Sequence, residues 1–193
     1  MKIGITLNEV IRDFAGKFQS TYNRYVASSE KEEIEGLLTS AELLDIEGIK
    51  FQNMEQLNNF MYIHAPLEIF GHADQLHEHV NAKVNEFLTD IEDDEEHEVT
   101  LICVEHGRSI PATLFFLSKT GLKFRNIKFV KKEKEIWENV DVLITANPRV
   151  LDMKPEEKKS IKIKYPYNHE NESDFEYETI IDFIENKKIL KEI

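Results

Sequence analysis

Cysteine is almost absent from this chain of 193 residues, Cys103 being the single example. One cysteine excludes an internal disulfide and suits a reducing interior. It lies in the apolar run "VTLICV", where it reads as a small core residue. Without a cysteine partner or a positioned histidine it does not read as a catalytic thiol. Long apolar runs are missing too: no stretch reaches the 18 residues that would announce a membrane span. The start, Met1-Lys2-Ile3-Gly4-Ile5, turns polar too quickly for a secretory signal. A soluble, non-secreted chain with no membrane partner is the expectation. Bases are scarce, 24 against 37 acids, for a net charge of −13. Phosphate neutralisation needs a basic face, so direct nucleic-acid binding is not expected. The acidity suits solubility, or pairing with a partner of basic surface.

Glycine is missing where a calcium loop would need it. The run "DIEDDEEHE", Asp90 to Glu98, carries seven acids and no turn glycine, so it reads as a solvated connector. "HADQLHEH" supplies His72, His77 and His79, but their spacings of five and two point to different faces. A helical metal pair wants a spacing of three or four. No internal repeat is visible.

What is present is a hydrophobic content of 41% with 12 Phe, enough for one globular domain with a sizeable insertion. Residues 2–7 read as a buried strand, with Asn8 as N-cap of a helix running to about residue 27. Phe14, Phe18, Tyr22 and Tyr25 recur at helical spacing on one face of it. Helical stretches follow in "KEEIEGLLTSAELLDIEGI", in "NMEQLNNFMYIHA" with Asn53 as cap, and from about Pro66 to Leu88. No strand is expected between residues 9 and 97.

Beyond the acidic run the pattern changes. Strands are predicted at 98–104, 126–130, 141–145 and 160–165. Ser109 is placed to cap a helix that carries Pro111 in its first turn and closes at Gly121. A last helix is predicted behind a capping box of Ser173 and Glu176, with Lys187, Lys188 and Lys191 near its end. Apolar strands separated by helices indicate an α/β fold: a three-layer, Rossmann-like, five-stranded parallel sheet covered on both faces. Ligands of such sheets bind at the C-terminal ends of the strands.

The wording at those ends, "IGITLNEVIRDF" first, resembles the haloacid dehalogenase-like superfamily, in its 5′(3′)-deoxyribonucleotidase-type branch. That family begins with a strand ending in Asp-x-Asp; here Thr6 and Asn8 hold the two aspartate positions. The resemblance implies an α/β core of residues 1–14 and 91–193 and a helical cap insertion of residues 15–90, after the first strand. The family's second motif is a Ser or Thr ending the next strand, which here ends at Val104-Glu105. Its lysine falls to Lys132 or Lys134, and its closing acidic pair to Thr145 and Ala146. The diagnostic residues are thus replaced within a preserved apolar frame.

Chemistry says what the replacements cost. A phosphoryl-accepting aspartate must be an anionic nucleophile, and the aspartate two residues on must move protons. Thr6 has no histidine beside it to activate its hydroxyl, and Asn8 can neither give nor take a proton near neutrality. Mg²⁺ wants carboxylate oxygens. No catalytic residue, cofactor or metal ligand is therefore expected at these positions. Glu9, Asp13 and Glu105 lie near enough to offer a metal shifted ligands; Glu9 and Asp13, four apart on one helix face, are otherwise solvated or paired with Arg12 or Lys17. Lys132 and Lys134 sit in a charged run and are otherwise surface.

Two functions are weighed. One is a catalytically inactive structural or interaction subunit bound to other protein chains. The other is a divergent Mg²⁺-dependent nucleotidase or phosphatase with relocated ligands. For the first, Phe51, Phe60, Tyr62 and Phe70 are candidates for exposed apolar contacts on the insertion. Lysine outnumbers arginine 19 to 5, and Asn and Ile are plentiful, which suggests an A/T-rich genome such as a bacteriophage's. A virion component is then the expected setting, found in the host cytoplasm or in the particle.

Overall fold

The computed structural model describes residues 1–26, 34, 40, 42–92 and 97–191. Its strands are β1 (Lys2–Thr6), β2 (Glu98–Val104), β3 (Asn126–Val130), β4 (Val142–Thr145), β5 (Lys159–Ile163) and β6 (Phe175–Tyr177). They form one all-parallel sheet in the order β3-β2-β1-β4-β5-β6. β1 is flanked by β2 and β4, with Ile5 in register with Leu101 on one side and Ile144 on the other. The chain builds outward on one side of β1 and then on the other. The gap beyond the ends of β1 and β4 is therefore the topological switch point where such sheets keep their ligands.

The expected five strands are six. Glu176, expected to form a capping box with Ser173, lies instead in the edge strand β6, because Asp174 is drawn to the start of β5. Its carboxylate accepts from the Ser160 backbone N–H at 2.9 Å and from Lys159 Nζ at 3.2 Å. Burial opposes its charged form, but the Ser160 and lysine bonds outweigh that and hold its pKa at about 2. The capping box of α6 (Ile180–Glu185) is instead Thr179 with Asp182.

Ile3, Ile5, Leu101, Cys103, Val142, Ile144, Ile161 and Ile163 face one side and pack beneath α3 (Val80–Glu92), α4 (Ser109–Thr120) and α6. The opposite face buries Ile102, Leu143, Trp137 and Val150, the last from α5 (Pro148–Asp152). Gly4 points to this second side. A Cβ there would stand 2.8 Å from Val140 Cγ1 and 2.9 Å from Leu143 Cδ1. Cys103 is buried in the first core, and burial raises its thiol pKa.

Between β1 and β2 the regular elements among the described residues are helical, with no strand, and turns and loops join them. α1 (Phe14–Tyr25) and α2 (Met54–Asn59) are followed by π-helical turns at Phe60–His64 and Leu67–Gly71. Phe18, Tyr22, Phe60, Met61, Ile69 and Phe70 form their own apolar cluster, joined by Ala112 of α4. The aromatics expected at the surface are spent in it. Phe60 and Phe70 are buried, while Phe51 and Tyr62 are half-buried against rings, Phe51 5.4 Å from Tyr22 and Tyr62 5.4 Å from Phe70. Tyr25, at the end of the α1 stripe, is exposed.

Several boundaries differ from expectation. Asp13, not Asn8, caps α1, accepting from Gly16 N at 2.9 Å. Ser109 is the first residue of α4 and bonds the His106 backbone, although Gly121 closes the helix in left-handed conformation as read. The stretch 66–88 is a π turn, a loop and then α3. Most of "KEEIEGLLTS", residues 93–96 of the acidic run and the side chain of Lys191 lie outside the described residues.

Candidate functional site

β1 and β4 bring two of the singled-out positions together at the switch point. Thr6 and Thr145 are both buried, and their hydroxyls share a hydrogen bond of 2.9 Å. Thr145 Oγ1 also accepts from the Asn147 N–H at 3.1 Å. Ala146 is buried and its carbonyl is taken by Asn168 Nδ2 at 2.8 Å. Asn147 caps α5 with its side-chain oxygen.

Asn8 is turned to a residue that the spacing did not single out for the site. Arg12 is fully buried, and its Nε and Nη2 donate to Asn8 Oδ1 at 2.9 and 2.5 Å. Nη2 also forms an ion pair with Glu105, which is buried at the end of β2. Nη1 donates to Thr113 Oγ1 at 2.7 Å and to the Phe70 carbonyl at 3.1 Å. Thr113 donates in turn to the other Glu105 oxygen. The rings of Phe70 and Phe116 flank the guanidinium at 5.3 and 5.5 Å. One side chain thus ties the turn Leu67–Gly71 to α4 and β2, and all five of its N–H donors have acceptors. Glu105 is neither solvated nor a free ligand. An arginine set among the apolar Val10, Ile11 and Phe14 is the local sign of this tie in the sequence.

Glu9 departs furthest from its expected place on a helix face with Asp13. Its φ of 56° puts it in the left-handed region, uncommon for a residue with a side chain. The carboxyl is buried, accepting from Ala15 N at 2.8 Å and hydrogen-bonded to Tyr167. Burial, only partly offset by the Ala15 N–H, Tyr167 and the charge of Arg12, raises its pKa to about 7. Tyr167 is carried by a loop that Asn168 fixes, bonding Ala146 O, Ile163 O and the Tyr165 N–H. Glu9, Asn8, Thr6, Glu105, Asn147 and Tyr167 stand in the walls of a cavity of about 140 Å³, with Phe14 and Cys103 among its apolar walls.

The donor set here does not suit Mg²⁺, which takes one or two carboxylates with water and substrate. The two hydroxyls bond each other, the Asn8 oxygen is held by Arg12, and of the two carboxyls in the walls Glu105 is ion-paired, which leaves Glu9 without a second free carboxylate in the described walls. Lys132 and Lys134 are exposed on the turn after β3 and do not reach the cavity walls. His72 meets Phe115 edge-on and His79 lies 3.2 Å from Glu78. Among the described residues no three His, Cys, Asp or Glu side chains gather as a metal site. No described helix is long and apolar enough to cross a membrane.

No family model matches the sequence, and no curated protein does. Solved structures do match, eighteen chains in all. One is the crystal structure of a putative beta-phosphoglucomutase from Thermotoga maritima, with a TM-score of 0.59 at 16% identity, covering 100% of this chain and 99% of that one. The likeness is one of fold: α/β, with a parallel sheet covered by helices.

Proposed function

We propose that this chain is a catalytically inactive haloacid dehalogenase-like protein that serves as a structural or interaction subunit. The observation that carries the proposal is how the polar groups at the strand ends are spent. Thr6 bonds Thr145, Asn8 bonds Arg12, and Glu105 bonds Arg12 and Thr113. Phosphoryl transfer needs an anionic nucleophile, a proton-transfer group and carboxylates for the metal. General acid–base help alone is worth about 10²–10⁴-fold, and metal stabilisation several kcal/mol more. Loss of all three at once leaves nothing for one relocated group to restore. On this proposal the chain needs no Mg²⁺. The nucleotidase-type branch rests on the wording "IGITLNEVIRDF" and describes ancestry rather than activity.

A fold released from catalysis is free to serve contact. The net charge of −13 favours a basic protein partner, with attraction that weakens as salt rises. A bacteriophage particle is the assembly that the Lys-rich, Arg-poor composition suggests. The test has two arms. Purified protein with Mg²⁺ and p-nitrophenyl phosphate should show no turnover above buffer. Pull-down from native extract should recover partner chains, fewer as salt is raised. Mg²⁺-dependent turnover that survives purification would overturn the proposal, and so would recovery of free monomer alone.

A further inference from the structure

We infer that the cavity at the switch point binds a small organic amine as its ammonium ion, with Glu9 as the counter-ion. It does not bind a phosphate. The walls carry two carboxyls, and among the described residues that line the cavity none is lysine or arginine. Arg12 is the nearby cation, and its five donors are occupied by Asn8, Glu105, Thr113 and the Phe70 carbonyl. Arg149, beyond Asn147, is paired with Glu42 and Glu133. An entering phosphate would meet the Glu9 carboxyl with no described lysine or arginine in the walls to balance it, the charge of Arg12 being matched by Glu105.

An ammonium ion meets the opposite situation. Glu9 is a buried carboxyl whose direct partners are a backbone N–H and a phenol, neither of them charged. Such a group is costly to ionise until a positive charge joins it. A carboxylate has about four lone-pair sites, of which Ala15 and Tyr167 use two, so acceptor capacity remains. The rings of Tyr167 and Phe14 also stand in the walls, and aromatic faces attract cations. The volume of about 140 Å³ is close to that of an engineered cavity that takes benzene, so roughly six heavy atoms fit. The groups near Glu9 that carry or can carry charge are Arg12, Asp13, Tyr165 and Tyr167; both phenols have their pKa raised, chiefly by burial.

The inference rests on the crevice being non-catalytic, and the two fail differently. Turnover defeats the function proposed above, whereas failure of an amine to bind defeats this one alone. The probes are n-butylamine, 1-butanol and inorganic phosphate, each titrated into the full chain at constant ionic strength and pH 7.5. Saturating butylamine should raise the melting temperature by about 2–4 °C, with no shift from butanol or phosphate. Glu9→Gln should abolish the amine response, since an amide supplies no charge. Should that variant not fold, calorimetry of the unmodified chain at pH 6.5 in buffers of different ionisation heat replaces it. Amine binding should then release a proton from Glu9. A shift from phosphate, no shift from the amine, an amine response that survives Glu9→Gln, or binding without proton release would each overturn the inference.

Discussion

Thr6 and Thr145 hold each other's hydroxyls at 2.9 Å, closing the ends of β1 and β4 with a neutral hydrogen bond. Aspartates at both places would set two carboxylates against each other in a buried spot, where only one ionises readily. The double variant Thr6→Asp/Thr145→Asp should therefore melt below the unmodified protein, and Mg²⁺ should restore part of the loss. The melting temperature of the unmodified protein should not respond to Mg²⁺. Thermal melts with and without the ion check both statements.

Arg12 and Glu105 should behave as one unit. Removing one member of a buried ion pair strands the other, at a cost of about 3–5 kcal/mol. Arg12→Met and Glu105→Gln should each lower the urea midpoint strongly. Together they should cost clearly less than the sum, because the double variant leaves no unpaired charge. Additive losses would mean that the two side chains do not depend on each other. Hydrogen exchange in Leu67–Gly71 should rise in Arg12→Met, since that turn loses its link from Arg12 to the Phe70 carbonyl.

Glu9 should make stability fall as pH rises. Its folded pKa of about 7 lies above the ordinary 4.5, so between those values the folded state holds a proton that the unfolded state has lost. Stability contributed by the protonated carboxyl is complete below pH 4.5 and is lost as pH rises to about 7. The difference corresponds to about 3 kcal/mol at most. Urea midpoints measured from pH 5 to 8 should decline, and Glu9→Gln should flatten the decline. A flat profile for the unmodified protein would mean that Glu9 stays charged in the fold.

The sheet was largely legible because its strands are short apolar runs bounded by polar turns, and five of the six were located within a residue or two. β6 escaped because three residues give no alternation to read, and what makes it a strand is Asp174 bonding Ser160, 14 positions away. The strand-end positions Thr6 and Thr145 could be paired from the family's wording. The rest of the site could not. Arg12 reaches partners 58, 93 and 101 residues off in sequence, so local spacing could only offer it to its neighbours. Glu9 takes the left-handed conformation that Gly or Asn would have announced. Asn168 and Tyr167 act through a loop whose position is set by the core beneath it.

Gly4 offers a check on the sheet itself. Strands disfavour glycine, and an alanine at a compatible site would stabilise by about 0.4–1 kcal/mol through the unfolded chain. Here a Cβ would fall 2.8 Å from Val140, 2.9 Å from Leu143 and 3.0 Å from Ile102, each contact inside van der Waals range. All three neighbours are buried, and Leu143 and Ile102 belong to strands packed beside β1, so none has open space to move into. Overpacking of this kind costs about 1–3 kcal/mol, which exceeds the entropic gain. Gly4→Ala should therefore lower the urea midpoint while leaving the slope of the transition unchanged, because the surface exposed on unfolding is the same. A rise in the midpoint would mean that Val140, Leu143 and Ile102 stand further from β1 than described, and that the second face of the sheet is packed differently.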